Sequence, residues 1–293
     1  MIAPILNFYI PPWLLDRVDR AGTIFGRVKQ AAQLAGWELA LHKEDDAPAV
    51  TGYHLVYNRP VTRPNTLVLR KCGFEPFFRI EATNDRWDWH VANAPFATEK
   101  GGEWFRRYWQ GELFKGLDIG QGGYAFMPLQ GRLLQQRHFQ TASPIEMIET
   151  ALARDSRPIK ASLHPREIYK PAELAAIAQL ERASGGRFTL SQSPSMQLLA
   201  GCDYVITQNS TMALIGMFAQ KTPILFAKID FHHLAGSVPH LGLDSAYAGL
   251  ASPRKWGAYL HWYFKENAIT TRDNEAPAQI VARLNALGWP ISA

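Results

Sequence analysis

The chain has 293 residues, 47% of them hydrophobic and 19% charged, with a formal net charge of +5. That length is about two average domains, and that composition excludes wholesale disorder. The basic residues are spread along the chain, which excludes a dedicated nucleic-acid stripe; a mild positive excess suits an anionic ligand or an anionic membrane surface equally. The two cysteines, Cys72 and Cys202, belong to no CxxC pair, which argues against a zinc ribbon; a lone disulfide or two buried thiols both fit. No apolar run approaches the ~18 residues of a membrane helix, and the first residues lack the basic region and cleavage site of a signal peptide. A soluble, cytoplasmic protein is therefore expected, compatible with peripheral association with the inner membrane.

Residues 2–10 form an apolar stretch of strand length, closed by Pro11-Pro12. Residues 13–34 show helical spacing through Leu14, Val18, Phe25, Val28 and Leu34. Residues 37–41, 53–57 and 66–69 read as further strands, so the opening is a β-α-β pattern that predicts a parallel sheet. Residues 72–115 are crowded with aromatics, Trp87, Trp89, Trp104 and Trp109 among them. They read as a loop-rich region packed on the sheet or as platforms for a ligand. Residues 116–123 are glycine-rich and read as a hinge or loop.

From there the rhythm is regular. Strands at 124–129, 159–163, 188–190, 204–207 and 223–227 alternate with helices at 144–153, 171–184, 195–200 and 211–219. Helices at 254–265 and 277–287 close the chain. The predicted fold class is α/β with two lobes: an acceptor-side lobe over 1–123, a ligand-binding lobe over 124–270, and a closing helix within 271–293.

Three polar motifs follow strands of the second half. His164-Pro165 stands at the end of one strand, where the proline fixes the turn and the imidazole can donate to a phosphate oxygen or serve only structure. Gln208-Asn209-Ser210-Thr211 follows another strand and opens a helix; this is a good N-cap, and its free amides and hydroxyls also suit an anion. Asp230-Phe231-His232-His233 follows a third. Adjacent histidines face different ways, so these two read as substrate contacts or structural hydrogen bonds rather than a metal pair. In open α/β sheets ligands bind beyond the carboxyl ends of the strands, so three such motifs are expected to converge on one crevice. The chain has no GxGxxG, GxxxxGK[ST] or GxSxG, and no DxD pair at a strand end.

At these motifs the sequence resembles the capsule polysaccharide biosynthesis protein family, whose members are GT-B-like transferases. The resemblance rests on Phe126-Met-Pro-Leu-Gln130, Ser143-Pro144, His164-Pro165, Gln208-Asn-Ser-Thr211, Lys221-Thr-Pro-Ile-Leu-Phe226 and Asp230-Phe-His-His233. It implies two Rossmann-like lobes and a nucleotide-sugar co-substrate, CMP-linked acidic sugars being frequent, with no other cofactor. It places His164, Ser210 and Thr211 at the donor phosphate. Gln130, Asn209, His232 and His233 complete the expected binding set.

Two departures stand out: Ile215 where such families commonly have glutamate, and no aspartate soon after Gln130. The expectation is a metal-independent glycosyltransferase of bacterial surface-polysaccharide synthesis acting on a glycan or glycolipid acceptor. The alternative is a non-catalytic nucleotide- or phosphosugar-binding protein of the same pathway. A base for the acceptor hydroxyl would come from the first half, with Glu81, Asp85 and Asp88 as candidates that also read as surface carboxylates.

Overall fold

The computed structural model describes residues 3–47, 49, 51–97 and 101–292. In chain order its strands are β1 (Ile5–Ile10), β2 (Glu38–Lys43), β3 (Tyr53–Tyr57), β4 (Thr66–Lys71), β5 (Phe77–Glu81), β6 (Ala125–Pro128), β7 (Ile159–Ser162), β8 (Phe188–Leu190), β9 (Tyr204–Thr207), β10 (Thr222–Leu225), β11 (Gly236–Ser237) and β12 (Ile269–Thr270). They form two six-stranded sheets. The fold is α/β with two Rossmann-like lobes. The chain divides into two compact units, Met1–Ala94 with Tyr263–Ala293, and Pro95–Trp262. Among the described residues no helix is long and apolar enough to cross a membrane.

The first lobe's sheet runs β12-β5-β4-β3-β1-β2. β2, β1, β3 and β4 are parallel, β5 runs antiparallel to β4, and β12 pairs antiparallel with β5. Strand alternation puts Leu6, Phe8 and Ile10 on one face with Leu55, Leu67 and Leu69. That face forms one core with Ile24, Val28 and Ala31 of the helix Ile24–Leu34 and with Ile280, Val281 and Leu284 of the helix Ala276–Ala286. Each such side chain removed from water is worth about 1.5–3 kcal/mol. The predicted helix over 13–34 is two pieces, a 3-10 segment Pro12–Asp19 and the helix Ile24–Leu34. Thr23 separates them because its hydroxyl accepts from the Gly26 amide (3.1 Å) and donates to the Arg17 carbonyl (2.6 Å), which caps a new helix. Ile2, the start of the predicted first strand, lies outside the described residues.

β5 falls inside the stretch read as loop-rich. It is buried along its whole length although it carries Arg79 and Glu81. Arg79 donates to the carbonyls of Tyr263 (2.6 Å) and Asn267 and lies 4.6 Å from the Tyr263 ring centre. Glu81 is paired with Arg283 at 2.7 Å. A charged strand stays inside because these partners replace water.

The second lobe's sheet runs β11-β10-β9-β6-β7-β8, and every neighbouring pair is parallel. The chain starts at the centre with β6, winds outward through β7 and β8, then returns to the other side of β6 with β9, β10 and β11. This is the doubly wound order, and its switch point lies between β6 and β9. The helix Pro144–Arg154 opens with a capping box. The Ser143 amide donates to Glu146 (2.7 Å), and the Glu146 amide donates to the Ser143 hydroxyl (3.3 Å).

The division of the chain differs from the one read in the sequence, which put a boundary after 123 and set 271–293 apart. The helix Glu103–Leu113 belongs to the second unit. Gly102, at φ +75°, enters it so close to the Gly257 carbonyl that a Cβ would come within 2.1 Å. Buried Arg106 donates to the Phe218 carbonyl at 2.8 Å. The closing helix Ala276–Ala286 belongs to the first unit, because its apolar stripe lies in that unit's core. The aromatic-rich stretch is thus shared between units. Trp89, Phe105 and Trp109 are buried, whereas Trp104 and Tyr108 are exposed.

Candidate functional site

A cavity of about 340 Å³ opens at the carboxyl ends of β6, β7 and β9, against the switch point of the second lobe. Pro128, Leu129 and Gln130 line it from β6, and Ser162, Leu163, His164 and Pro165 from β7. Ser195 and the first turn of the helix that follows β9, Ser210, Thr211 and Met212, complete the wall. The position follows from topology. The crossovers leave the switch point in opposite directions and so leave a crevice between them.

His164 is exposed at the pocket wall. Its amide donates to the Tyr169 hydroxyl (2.8 Å), and its Nδ1 accepts from the Arg166 amide (3.2 Å). With Nδ1 an acceptor, the neutral ring carries its proton on Nε2, which leaves that N–H for a ligand. Ser210 is the N-cap of the helix Thr211–Phe218, and its Oγ accepts from the Met212 amide at 3.3 Å. The cap uses one lone pair and leaves the hydroxyl proton to donate. The Thr211 amide, in the first turn, has no intrahelical acceptor. A hydroxyl, an amide, an imidazole N–H and the positive end of a helix together form a donor set suited to an anion.

Gln130 also lines the cavity, and its Oε1 is buried with no hydrogen-bond partner among the described residues. Two residues that sequence reasoning passed over belong to the wall. Ser162 ends β7, Ser195 opens the helix Ser195–Gly201, and their hydroxyls are 3.1 Å apart. A polar residue immediately before the His164 turn was the available signal for Ser162. Ser195 is recruited from a separate crossover and had none.

Of the remaining sequence candidates, Asn209 is half-buried beside the cap but does not line the cavity. His232 and His233 are not lining residues of it either. Their rings stack on each other at 4.3 Å, and His232 stacks on His240 at 3.9 Å. His233 Nδ1 is 3.4 Å from the Tyr259 hydroxyl. Burial, then the neighbouring His232 and Lys228, push His240 below the usual histidine range.

In the first lobe Glu81 lies opposite Val68, in the amino-terminal half of β4, away from the carboxyl ends of the parallel strands. Burial pushes its carboxyl above the usual range, against the pull of Arg283 and Arg79. Asp88 is exposed in the 3-10 turn Arg86–Asp88, and Asp85 is exposed just before it. Glu81 thus stands away from the carboxyl edge of its sheet and is already committed to Arg283. Among the described residues no group of three or more His, Cys, Asp or Glu is placed to hold a metal ion.

The chain matches no family model and no curated protein. Among solved structures it is similar to a Thermosulfurimonas dismutans KpsC, a beta Kdo 2,7 transferase, with a TM-score of 0.51 and 11% identity, covering 97% of this chain and 100% of that one. A T. dismutans KpsC beta Kdo 2,4 transferase follows, with a TM-score of 0.45, 12% identity and coverage of 87% and 88%. The S. aureus MnaA–UDP co-structure has a TM-score of 0.38, 8% identity and coverage of 98% and 97%. At such identities the likeness is one of fold, and the first of them carries it across nearly the whole chain.

Proposed function

We propose that this protein is a glycosyltransferase of bacterial surface-polysaccharide synthesis, with the second-lobe cavity as the site of the donor's phosphate. One observation carries the reading. His164, Ser210 and Thr211, from two different strand ends, meet with Gln130 on one cavity at the switch point of a doubly wound sheet. The fold shared with a Kdo transferase supports it. In the transfer step the acceptor hydroxyl attacks the anomeric carbon and loses its proton to a base. The bond from that carbon to the donor phosphate breaks, and the nucleotide leaves with the electron pair. His164 Nε2–H, the Ser210 hydroxyl and the Thr211 amide would stabilise the charge that gathers on the departing phosphate. The nucleotide is expected to be CMP, on the family resemblance, and the step to need no metal.

The test is calorimetric titration of the protein with CMP, UMP and a neutral sugar, in chelator. Binding of a nucleotide but not of the sugar supports the donor site. A response to the sugar alone removes it, and a response that chelator abolishes shows a metal requirement. A second reading, a non-catalytic phosphosugar- or nucleotide-binding protein, is favoured by the helix Thr211–Phe218, which carries no acidic residue and has Ile215 where the resembling family has glutamate. Nucleotide binding with no transfer or hydrolysis of nucleotide-sugars decides for it.

A further inference from the structure

We propose that the long loop between β6 and the helix Pro144–Arg154 carries a second anion subsite, anchored by the Arg137 guanidinium. Residues 129–143 contain no helix or strand, yet loops of that length inside a compact domain are uncommon and usually functional. This one is pinned. The Leu133 amide donates to buried Glu173 (2.5 Å), the Arg137 amide to Gln140 Oε1 (2.7 Å), and the Thr141 amide to the Phe226 carbonyl (2.8 Å).

In this fixed turn Arg137 is half-buried. Among the described residues its guanidinium has no carboxylate within ion-pair distance and no hydrogen-bond acceptor, and its Nε is closed off from solvent. The Phe139 ring lies 4.8 Å from it. Other half-buried arginines of the same lobe have acceptors, although Arg187 Nε is itself buried without one among the described residues. Arg157 is paired with Asp155, Arg254 donates to the Leu234 and Gly249 carbonyls, and Arg187 donates to the Asp155 carbonyl. Gln140, 5% exposed in the same turn, also has a buried Nε2 with no acceptor. Burial, then the neighbouring charge of Arg132, hold Arg137 below the usual arginine range, and the Glu167 carboxylate opposes them. A half-buried cation with no ion pair or hydrogen-bonded acceptor is costly, and an oxyanion is the group that relieves it.

The loop leaves from the cavity wall at Leu129 and Gln130. Gly131 directly follows the lining residue Gln130, and a Cβ at Gly131 would come within 2.2 Å of Glu167 Oε2. Glu167 closes the His164 turn, its amide donating to the His164 carbonyl at 3.2 Å. The guanidinium fork matches a carboxylate or a phosphate. If the cavity holds the donor phosphate, a reading on which this step rests, the subsite takes a second anionic group, on the transferred sugar or on the acceptor.

The experiment is phenylglyoxal labelling of the full chain, with the modification rate of Arg137 read by peptide mass spectrometry in chloride, lactate or inorganic phosphate at equal ionic strength. Arg157, paired with Asp155, is the internal control. Lactate or phosphate should slow Arg137 by about tenfold at ~10 times its Kd, relative to chloride. Stronger protection by lactate points to a carboxylate ligand, and stronger protection by phosphate to a phosphorylated one. Equal rates in all three salts overturn the subsite, as does an Arg137 that fails to react in chloride. The CMP titration judges the donor-site reading separately, so protection without CMP binding leaves the subsite standing and removes that reading.

Discussion

Replacing His164 by asparagine separates its two nitrogens. An asparagine amide oxygen falls close to where Nδ1 accepts from the Arg166 amide, so the turn keeps its hydrogen bond. The Nε2–H that faces a ligand is lost. One charge-assisted hydrogen bond to a phosphate is worth about 1.5–3 kcal/mol, so Kd for CMP should rise by roughly 10- to 150-fold. In an active enzyme turnover should fall by about 10²–10³. His164→Gln, whose amide N–H reaches towards the Nε2 position, should recover part of the affinity. His164→Ala should cost at most about 1 kcal/mol of stability, because the side chain is exposed and only the Arg166 bond is removed. The assays are calorimetry with CMP and urea unfolding of the three variants. An asparagine variant that binds CMP like the wild type would refute the phosphate role. Wholesale loss of folding in the alanine variant would return His164 to a structural one.

Ser210→Ala should lower stability by about 1 kcal/mol in urea unfolding as well as weakening nucleotide binding, because Ser210, not Asn209, caps the helix. Thr211→Ala should weaken binding alone, and equal stability loss in both variants would contradict the cap assignment. At Asp155 burial pushes the carboxyl up, but hydrogen bonds from the Arg157 side chain and amide and from the Tyr204 hydroxyl outweigh it and hold it below the usual range. That stabilisation is present above the unfolded carboxylate range and is lost as pH falls through the folded pKa, so Asp155→Asn should flatten the acid limb of stability against pH. An unchanged acid limb in chemical unfolding contradicts this. Arg283→Gln should cost about 3 kcal/mol near pH 7 by leaving Glu81 buried without its counter-ion. Glu81 already titrates above its usual range, so its ionisation costs stability as pH rises, and the loss should shrink near pH 4, where equal losses at both pH values would be contrary evidence.

Apolar periodicity, prolines and capping residues are local signals, and they sufficed for the run from β6 to β10. The strands before His164 and Asn209 and the helices opened by Pro144 and Pro171 stand within a residue or two of where the sequence puts them. Because a parallel sheet presents all its carboxyl ends on one edge, that alternation alone was enough to bring His164, Ser210 and Thr211 to one crevice. Partners distant in sequence were not legible. β5 reads as a poor strand until Arg283, Tyr263 and Asn267 arrive from the far end of the chain to satisfy Glu81 and Arg79. The helix Glu103–Leu113 follows a glycine-led close approach to Gly257, which no local pattern encodes. Ser195 reaches the cavity wall from another crossover, and His232 finds its ring partner in His240 rather than in the cavity. Local signals placed β6 to β10 and the helices between them. Tertiary packing alone decided which buried charges are paired, which lobe each segment joins, and that the Arg137 guanidinium has no ion pair among the described residues.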